Sequence, residues 1–486
     1  MKPINQTVEK KSRPVKVLQI GEGVLLRGFI DQMIDIANEK GLFDGSIQIV
    51  KPRAGGSVQA LKDQNGIYTV MLRGKKDGSI HVEKRIITSI ADAVHPYDDY
   101  EKYAAFAKSP DLRFFISNTT EAGIVYDESD QFSLTPPNSF PGKLTKFLHD
   151  RYEHFGGAQE KGLYIIPTEL VENNGDQLLS CCKKLAKLWG LSDEFIIWLE
   201  NANIFCNTLV DRIVTGYPAD KIEEIEKEVG YTDTQFVIGE PFGLWVIECP
   251  NPEALSKELP LDKAGEPTIF TDNHVPYRER KIRVLNGAHT ATVLAAYLSG
   301  KDIVLEMMKD KNLRSFFNKV VYGEIVPMVP LPENEVKEFA DSVVERFENP
   351  FIKHSLLAIS VNSISKFSAR ILPTLKDYYA KNISLPPYLC FSLASLVAFY
   401  SGEMVDGKLV GKRGSDSYPI NDEPAVLEFF ATNGDKGAKD LISAFLKSED
   451  FWGEDLTSIP GFVDTVADAL QSIRDNGMSS ALENIL

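Results

Sequence analysis

The stretch that decides the fold runs from Val15 to Glu39 and reads VKVLQIGEGVLLRGFIDQMIDIANE. Its first six residues are largely apolar and β-branched, which predicts a buried strand over 15–20. A turn with two glycines follows, and residues 25–39 then repeat apolar side chains near helical spacing. Gly41 marks the predicted end of this helix. A buried strand, a glycine turn and a helix in this order indicate a parallel sheet flanked by helices.

The same alternation continues through the first half of the chain, and helical segments dominate the second half. Further strands are predicted over 46–50, 113–117, 162–166 and 203–206, with a hairpin-like insertion over 68–72 and 81–90 and an extended segment over 235–248. Helices are predicted over 287–298, 334–347, 354–371, 388–400, 424–433 and 462–486. The polar stretch 249–273 is interpreted as a connection. We therefore expect an α/β domain over 1–273, with a mostly parallel sheet, and a helical domain over 274–486.

Composition excludes several classes of function. The 486 residues carry a formal net charge of −16, which argues against binding to nucleic acid or to anionic membranes. Five scattered cysteines lack the spacing of a zinc site or a disulfide framework. The N-terminus has no apolar signal-peptide core, and the apolar run 388–400 is shorter than the roughly 20 residues that span a bilayer. We expect a cytoplasmic protein with reduced thiols, no metal site, and no membrane or nucleic-acid partner.

The glycine turn Gly21-Glu-Gly23 is the first candidate for chemistry. Glycines after a first strand let the backbone approach a pyrophosphate, while the next helix presents its N–H groups. The pattern is incomplete, because Leu26 stands at the third glycine position and no acid ends the second strand. That strand runs into Lys51-Pro-Arg53, whose charge suits a 2′-phosphate better than a ribose hydroxyl. From these residues alone, a dinucleotide site and a purely structural turn both remain open.

The second candidate is the segment Lys281-Ile-Arg-Val-Leu-Asn-Gly-Ala-His289. At about 100° per residue, Lys281, Asn286 and His289 share one half of a helix surface. A lysine in a partly dry pocket has a lowered pKa and exchanges a proton near neutral pH, whereas a carboxamide stabilises negative charge on a substrate oxygen. The alternative is a lysine that extends to solvent beside a histidine satisfied in the core.

Two further positions hold candidate binding groups. Lys366 and Arg370 lie one helical turn apart, and this pair suits either a bound anion or a solvated helix face. Asn207 follows the strand that ends at Cys206, where parallel sheets bind ligands, although it suits a helix N-cap equally. No HExxH, GxSxG or P-loop motif occurs, and the remaining histidines are too scattered for a metal cluster.

Taken together, these segments resemble the mannitol dehydrogenase family of long-chain polyol and sugar-acid dehydrogenases. The resemblance covers residues 15–470 and rests on four motifs. They are GEGVLLR over 21–27, NTLVDR over 207–212, EPFGLW over 240–245, and the Lys-x4-Asn-x2-His spacing over 281–289. The resemblance implies a Rossmann-type N-terminal domain, an all-α C-terminal domain with the active site between them, and metal-independent hydride transfer to NAD.

The resemblance also implies roles for individual residues. Lys281 is then the general acid/base, and His289 orients the substrate hydroxyls. Asn207 and Asn286 hold the developing alkoxide. The cationic pair at 366 and 370 fits the carboxylate of a small sugar-acid substrate, which a neutral polyol lacks. The cofactor contacts are expected at Ile20, Gly21, Glu22, Gly23, Val24, Leu25, Leu26, Arg27, Asn118 and Thr120. A non-catalytic dinucleotide sensor on the same scaffold is the alternative outside enzymes, and no oligomeric state is predicted.

Overall fold

The computed structural model describes residues 1–486, which divide into two units. The first unit comprises 1–73 and 80–274, and the second comprises 74–79 and 275–486. The short segment 74–79 is a hairpin tip, and in the second unit the Lys75 ammonium forms an ion pair with Glu348. None of the helices combines the length and the apolar character that a membrane crossing requires.

Fifteen strands, β1 to β15, lie within the first 271 residues. Their bounds are Lys2–Pro3, Val15–Ile20, Ser46–Val50, Tyr68–Lys76, Ser79–Ile87, Ile90–Val94, Phe114–Ser117, Tyr164–Pro167, Ile204–Phe205, Asn207–Asp211, Val214–Gly216, Tyr231–Thr232, Val237–Gly239, Leu244–Glu248 and Thr268–Thr271. The predicted hairpin is therefore longer than expected, and Ile90 begins a separate strand, β6.

The central sheet contains six parallel strands in the order β6-β3-β2-β7-β8-β9. The register places Ile20 opposite Val50 on one side and Ser117 on the other, so β2, β3 and β7 end level with each other. Phe114 and Ile116 join one buried apolar cluster whereas Phe115 joins another, as the two-residue period of a strand requires. The prediction of a mostly parallel α/β unit is confirmed.

Nine helices, α1 to α9, accompany these strands. They are Val24–Arg27, Ile30–Glu39, Gln59–Asp63, Tyr100–Ala105, Phe140–Phe155, Asn174–Leu188, Asp193–Asn201, Ile222–Val229 and Pro252–Glu258. The single helix predicted over 25–39 is interrupted at Gly28, where an added Cβ would lie 2.8 Å from a Val237 methyl group and 2.9 Å from a Val214 methyl group. Gly41 has a φ of +68° just after α2.

Smaller sheets complete the first unit. One has the order β11-β13-β4-β5, a second has the order β10-β14-β15, and β1 pairs with β12. In the second of these sheets, β10 runs antiparallel and β15 parallel to β14. The stretch 249–273 is therefore more than the predicted connection, because it supplies helix α9 and strand β15.

The second unit is mostly helical. Its helices, α10 to α23, are Val275–Arg280, Gly287–Leu298, Val304–Lys309, Lys311–Asn318, Glu333–Phe347, Leu356–Ile359, Ser363–Arg370, Leu372–Asn382, Pro387–Tyr400, Pro424–Asn433, Ala438–Leu446, Glu449–Trp452, Phe462–Asn476 and Met478–Ile485. A small antiparallel sheet that the sequence did not predict accompanies them, with strands β16 to β18 at Glu403–Val405, Lys408–Arg413 and Asp416–Pro419.

The helical unit also departs from regular α-helix at several predicted segments. Two π-helical turns occur, at Lys281–Asn286 and Lys319–Ile325. The helix predicted over 354–371 is two helices, α15 and α16, separated near Asn362, which has a φ of +55°. The C-terminal helix is likewise divided into α22 and α23, at Gly477.

Candidate active site

The glycine turn lies at the switch point of the central sheet, where β2 has β3 on one side and β7 on the other. Gly21 has a φ of +129°, and its N–H donates to the Val50 carbonyl at 2.9 Å. A Cβ at Gly21 would lie 2.8 Å from the Asn118 carbonyl oxygen, so the close approach of the two strand ends requires glycine. Gly23 has no atom within 4 Å of an added Cβ, which leaves open space above the turn.

Some side chains of the predicted cofactor segment are buried or already make hydrogen bonds within the chain. Ile20 and Leu26 are 2 % and 0 % exposed and belong to the apolar core. Arg27 Nε donates to the Glu22 carbonyl at 3.0 Å, and its Nη1 donates to the Gln235 carbonyl at 2.8 Å. These side chains hold the shape of the turn, and only their backbone atoms are candidates for direct contact with a ligand.

The helix that follows the turn is short. Helix α1 begins at Val24 and ends at Arg27, and its first-turn N–H groups have no acceptor within the helix, as at every helix N-terminus. Val24 and Leu25 are only partly buried there. Four residues sum to a smaller dipole than the long helix that the sequence predicted. An anion at this turn would therefore be bound mainly by backbone N–H groups, and the dipole of α1 would contribute less.

The basic residues after β3 are not equivalent. Lys51 Nζ lies 2.6 Å from Glu22 Oε1, so its charge is paired with the acid of the glycine turn. Arg53 points to the end of β7, where its Nη2 donates to the Thr119 carbonyl and to Thr120 Oγ1, each at 3.4 Å. These long contacts are weak, and they leave Arg53 as the main basic group at this edge of the sheet.

A cavity of about 640 Å³ opens beside these strand ends. Its lining includes Arg53, Thr119, Thr120, Tyr126 and Lys143. Burial lowers the pKa of Lys143 to about 8, although its ammonium donates to the Asn138 carbonyl at 2.7 Å. The cavity lies entirely within the first unit, and its size and position at the carboxyl ends of β3 and β7 suit a nucleoside.

The loop after β7 is held by a buried carboxylate. Glu169 accepts from the Thr119 N–H at 2.9 Å and from the Ser117 hydroxyl at 3.0 Å, and burial raises its pKa. Asn118 Nδ2 donates to Thr168 Oγ1 at 3.1 Å. Thr120 has a φ of +91°, a strained conformation for a residue with a side chain. Of the two predicted cofactor contacts on this loop, Thr120 lies at the cavity in a strained conformation, and Asn118 comes directly after β7.

Asn207 is the first residue of β10, and its carboxamide is fully used within the first unit. Its Oδ1 accepts from the N–H groups of Gly175 at 3.0 Å and Asp176 at 3.1 Å, at the start of α6. Its Nδ2 donates to Asp176 Oδ2 and to Glu248 Oε1, both at 3.0 Å. Asn207 is therefore not the N-cap residue of a helix, although its oxygen accepts from the first N–H groups of α6, and its role as a ligand group stays a prediction. To hold an alkoxide, as the resemblance implies, Asn207 has to exchange one carboxylate for the substrate oxygen.

Glu248 joins this network to a histidine at the end of the first unit. Its Oε2 accepts from the His274 N–H at 2.7 Å and from His274 Nδ1 at 2.6 Å. Burial acts to raise the pKa of Glu248, but the hydrogen bonds from His274 and Asn207 hold it below its usual value. The sequence did not predict a role for Glu248, His274 or Asp176. The only available signal was the position of Glu248 at the end of an apolar strand.

The segment from Lys281 to Asn286 is a π-helical turn between α10 and α11, not regular α-helix. The Gly287 N–H donates to the Ile282 carbonyl, five residues back, so the assumed 100° per residue does not apply here. Lys281 and Asn286 are both partly buried. The Asn286 carbonyl accepts from the Thr290 hydroxyl at 3.0 Å. π-Helical turns of this kind occur frequently at functional sites.

His289 packs against two aromatic rings of the second unit. Its ring stacks on Phe347 at 4.0 Å between centroids and meets His354 edge-on at 5.0 Å. Its Nε2 is buried and has no hydrogen-bond partner. Burial and the neighbouring cations, Arg370 and Lys366 among them, hold the pKa of His289 well below its usual value. A buried polar atom without a partner is costly, and a ligand hydroxyl would satisfy it.

The structure brings the predicted cationic pair toward this histidine. Lys366 and Arg370 both lie on α16, and both perturb the titration of His289. Arg370 Nη1 donates to Thr290 Oγ1 at 3.3 Å, next in sequence to His289. Lys366 Nζ donates to the Ile359 carbonyl at 3.0 Å and also contacts the Val361 carbonyl. Burial, and for Lys366 the charge of Arg370, lowers the pKa values of both side chains.

The structure contains no cluster of three or more His, Cys, Asp or Glu side chains arranged to hold a metal ion. The residues singled out in the sequence fall into two groups. The glycine turn, the loop with Asn118 and Thr120, and Asn207 belong to the first unit. The lysine turn, His289, Lys366 and Arg370 belong to the second unit.

Both units are similar in sequence to known protein domains. A sequence model of the mannitol dehydrogenase Rossmann domain matches residues 15–262, and a model of the mannitol dehydrogenase C-terminal domain matches residues 273–474. The chain is 42 % identical to a Yersinia enterocolitica protein named altronate oxidoreductase, over 97 % of each chain. It is 43 % identical to a Bacillus subtilis protein of the same name, over 97 % of this chain and 95 % of that one.

Two solved structures share the fold. Pseudomonas fluorescens mannitol 2-dehydrogenase, solved with NAD and D-mannitol, has a TM-score of 0.65 at 24 % identity and covers 98 % of this chain and 94 % of its own. A substrate-free D-sorbitol dehydrogenase has a TM-score of 0.77 at 20 % identity and covers 97 % of this chain and 95 % of its own. These likenesses confirm the Rossmann-type and helical architecture expected from the sequence. Together with the two family matches, they show that the chain belongs to the mannitol dehydrogenase family.

Proposed function

We propose that this protein is an NAD-dependent altronate oxidoreductase, which interconverts D-altronate and D-tagaturonate in hexuronate breakdown. The names of relatives at 42 % and 43 % identity over nearly the full chain support the proposal. The observation that carries it is the arrangement around His289. Two cations on α16 accompany a buried imidazole nitrogen that has no partner, and this combination suits a substrate with both a carboxylate and hydroxyl groups.

The proposed acid/base is Lys281. In the oxidation direction its amine takes the proton of the substrate hydroxyl, and in the reduction direction its ammonium returns a proton to the carbonyl oxygen. Nicotinamide, when bound, supplies the hydride chemistry. Asn286 and Asn207 are the proposed amide donors to the oxygen that becomes negative. One such donor is typically worth about 3–4 kcal/mol of transition-state stabilisation.

The two amides differ in how ready they are for this role. Asn286 is partly buried on the π-helical turn, whereas both N–H groups of Asn207 already reach carboxylates. We therefore assign the first oxyanion donor to Asn286. Asn207 joins when the substrate oxygen replaces Asp176 or Glu248 as its acceptor.

The proposed cofactor site is built on residues 1–273, and the proposed substrate-binding domain comprises 274–486. Gly21 and Gly23 permit a pyrophosphate to approach the backbone, and the cavity near Arg53 suits the adenosine. Lys51 is neutralised by Glu22, so one of the two cations that could attract a 2′-phosphate is already occupied. This pairing supports NAD over NADP.

A substrate screen tests the proposal. Oxidation of altronate, mannonate, mannitol and arabinitol is measured with NAD and with NADP, alongside reduction of the matching ketoses. The proposal expects the highest kcat/KM for altronate with NAD. Preference for mannonate would indicate a fructuronate reductase, and preference for mannitol would indicate a polyol 2-dehydrogenase. Tight NADH binding with no turnover of any substrate would support a non-catalytic sensor instead.

A further inference from the structure

Two buried cysteines, Cys206 and Cys249, lie next in sequence to Asn207 and Glu248. The antiparallel register of β10 and β14 places Asn207 opposite Glu248. The residues one step beyond this pair are Cys206 and Cys249. Both side chains belong to the same buried apolar cluster, and a contact between them shifts the pKa of each. The Cys206 Sγ–H also donates to the Ile204 carbonyl at 3.8 Å. Both residues belong to the first unit and are 0 % and 3 % exposed.

The two cysteines continue the β10–β14 register by one step, beyond its last pair at Asn207 and Glu248. Opposed residues of an antiparallel pair have Cα atoms about 4.5–5.5 Å apart, and disulfides form across about 4.4–6.8 Å. Opposed side chains also lie on the same face of the sheet. The other cysteines have no such arrangement, because Cys181 and Cys182 are consecutive on helix α6, and Cys390 is on α18.

We propose that Cys206 and Cys249 form a modification site, a dithiol that hydroperoxides convert reversibly into an intrachain disulfide. The Cys249 thiolate attacks the peroxide oxygen and becomes a sulfenic acid, while the alcohol or water derived from the peroxide leaves. The Cys206 sulfur then attacks the Cys249 sulfur, an S–S bond forms, and the sulfenic oxygen leaves as water. Two thiols lose two electrons and two protons, and the peroxide is reduced by the same two electrons.

Two observations assign the roles of the two sulfurs. The contact with Cys206 lowers the pKa of Cys249 although burial acts to raise it, and this favours Cys249 as the attacking thiolate. The same contact, together with burial, raises the pKa of Cys206 well above its usual value, as suits the second thiol in the sequence. The other cysteines with resolved shifts, Cys181, Cys182 and Cys390, all have pKa values raised by burial.

The disulfide would act on the residues next to it. Cys206 precedes Asn207 and Cys249 follows Glu248, so an S–S bond fixes the separation of the two strands at the Asn207–Glu248 hydrogen bond. If Asn207 has to exchange Glu248 for a substrate oxygen, as the proposed function requires, the link restrains that exchange. This second consequence rests on the proposed function, whereas formation of the disulfide does not.

The experiment treats the reduced, folded full-length protein with hydrogen peroxide and quenches it in denaturant with an alkylating agent. We expect a mass loss of two hydrogens, about 2 Da. Alkylation should fall from five cysteines to three, with one cross-linked peptide pair containing Cys206 and Cys249. Dithiothreitol should restore all five. The expected turnover of the oxidised protein is lower by roughly tenfold or more, because small displacements of a positioning group cost that much.

Matched variants separate the outcomes. Cys249→Ala should abolish the cross-link, whereas Cys181→Ala, at another buried cysteine, should leave it unchanged. Five alkylated cysteines after peroxide treatment, or stable sulfinic acid at one cysteine without a cross-link, would overturn the dithiol. A cross-link in a protein whose reduced form does not oxidise altronate would retain the dithiol and overturn the proposed function.

Discussion

The glycine turn of the first unit and the π-helical turn of the second carry the two parts of the proposed chemistry, and they are built in opposite ways. Around Gly21 the backbone itself is the functional group, and its conformation is fixed by a carbonyl of the neighbouring strand. Around Lys281 the side chains are the functional groups, and the backbone widens to place them. The glycine turn requires residues without a side chain, whereas the π-helical turn requires residues with particular side chains.

This difference predicts which changes abolish chemistry and which abolish binding. The largest effect is expected for Lys281→Ala. Loss of a general acid/base typically lowers turnover by about 10²–10⁴-fold. The NADH dissociation constant, measured by fluorescence titration, should change less than about twofold, because the proposed cofactor site is in the other unit. Lys309→Ala, at an exposed lysine on α12, is the control and should behave as wild type. Normal turnover of Lys281→Ala would remove the catalytic assignment.

The second effect concerns substrate charge. Arg370→Ala should raise KM for tagaturonate by about 10–100-fold, since a hydrogen bond to a charged group contributes about 1.5–3 kcal/mol. KM for a neutral ketose such as fructose should change little, and this comparison is the internal control. An equal increase for both substrates would mean that Arg370 supports the fold through Thr290 and does not bind a carboxylate.

The two glycines of the turn provide a sharper test of the first arrangement. Gly23→Ala should leave the urea midpoint of unfolding unchanged, because an added Cβ meets no atom of the chain. It should raise the NADH dissociation constant about tenfold if a pyrophosphate approaches there. Gly21→Ala should lower the urea midpoint and also weaken NADH binding, with a loss of stability of about 1–3 kcal/mol from its strained φ and the contact with the Asn118 carbonyl. Unchanged NADH binding by Gly23→Ala would place the cofactor elsewhere.

The same contrast explains how much of the structure could be predicted. Strands β2 and β3 lie where the sequence placed them, because their apolar runs are local signals. The need for glycine at position 28, where the predicted helix is interrupted, comes from Val214 and Val237, about 200 residues away, which no local pattern reveals. Similarly, the Lys-x4-Asn-x2-His spacing identified the residues but assumed an α-helical period that the π-helical turn does not follow.

The polar networks were the least predictable part of the site. Asn207 was identified as either a helix cap or a ligand group, and the structure shows that its oxygen accepts from the first N–H groups of α6, a helix distant in sequence. Its other partner, Glu248, becomes visible only when β10 and β14 are paired. Residue types indicate which chemistry is available, whereas tertiary pairing decides which hydrogen bonds are already used.

The last prediction concerns the support of the glycine turn. Asp31 on α2 is fully buried, and its Oδ2 accepts from the Tyr68 hydroxyl at 2.9 Å. Gln19 Nε2 lies 3.5 Å from the same oxygen and donates to the Gly21 carbonyl at 3.1 Å. Asp31 Oδ1 has no partner. Burial raises the pKa of Asp31 from 3.8 to about 7, so the protonated form is the one that suits this site.

The sign of the pH dependence follows from that shift. Between pH 3.8 and about 7 the folded protein holds a proton that the unfolded chain has lost, so this group's contribution to stability falls as pH rises. In Asp31→Asn the side chain is uncharged at every pH, so this decrease in stability with rising pH does not occur. Its free energy of unfolding should match wild type near pH 4 and exceed it by up to about 4 kcal/mol at pH 8, since one pKa unit corresponds to about 1.4 kcal/mol. Urea denaturation at both pH values measures the difference, with Asp111→Asn at an exposed site as the control. A constant difference between the two pH values would mean that Asp31 is ionised in the folded protein, and that the glycine turn rests on a buried charge.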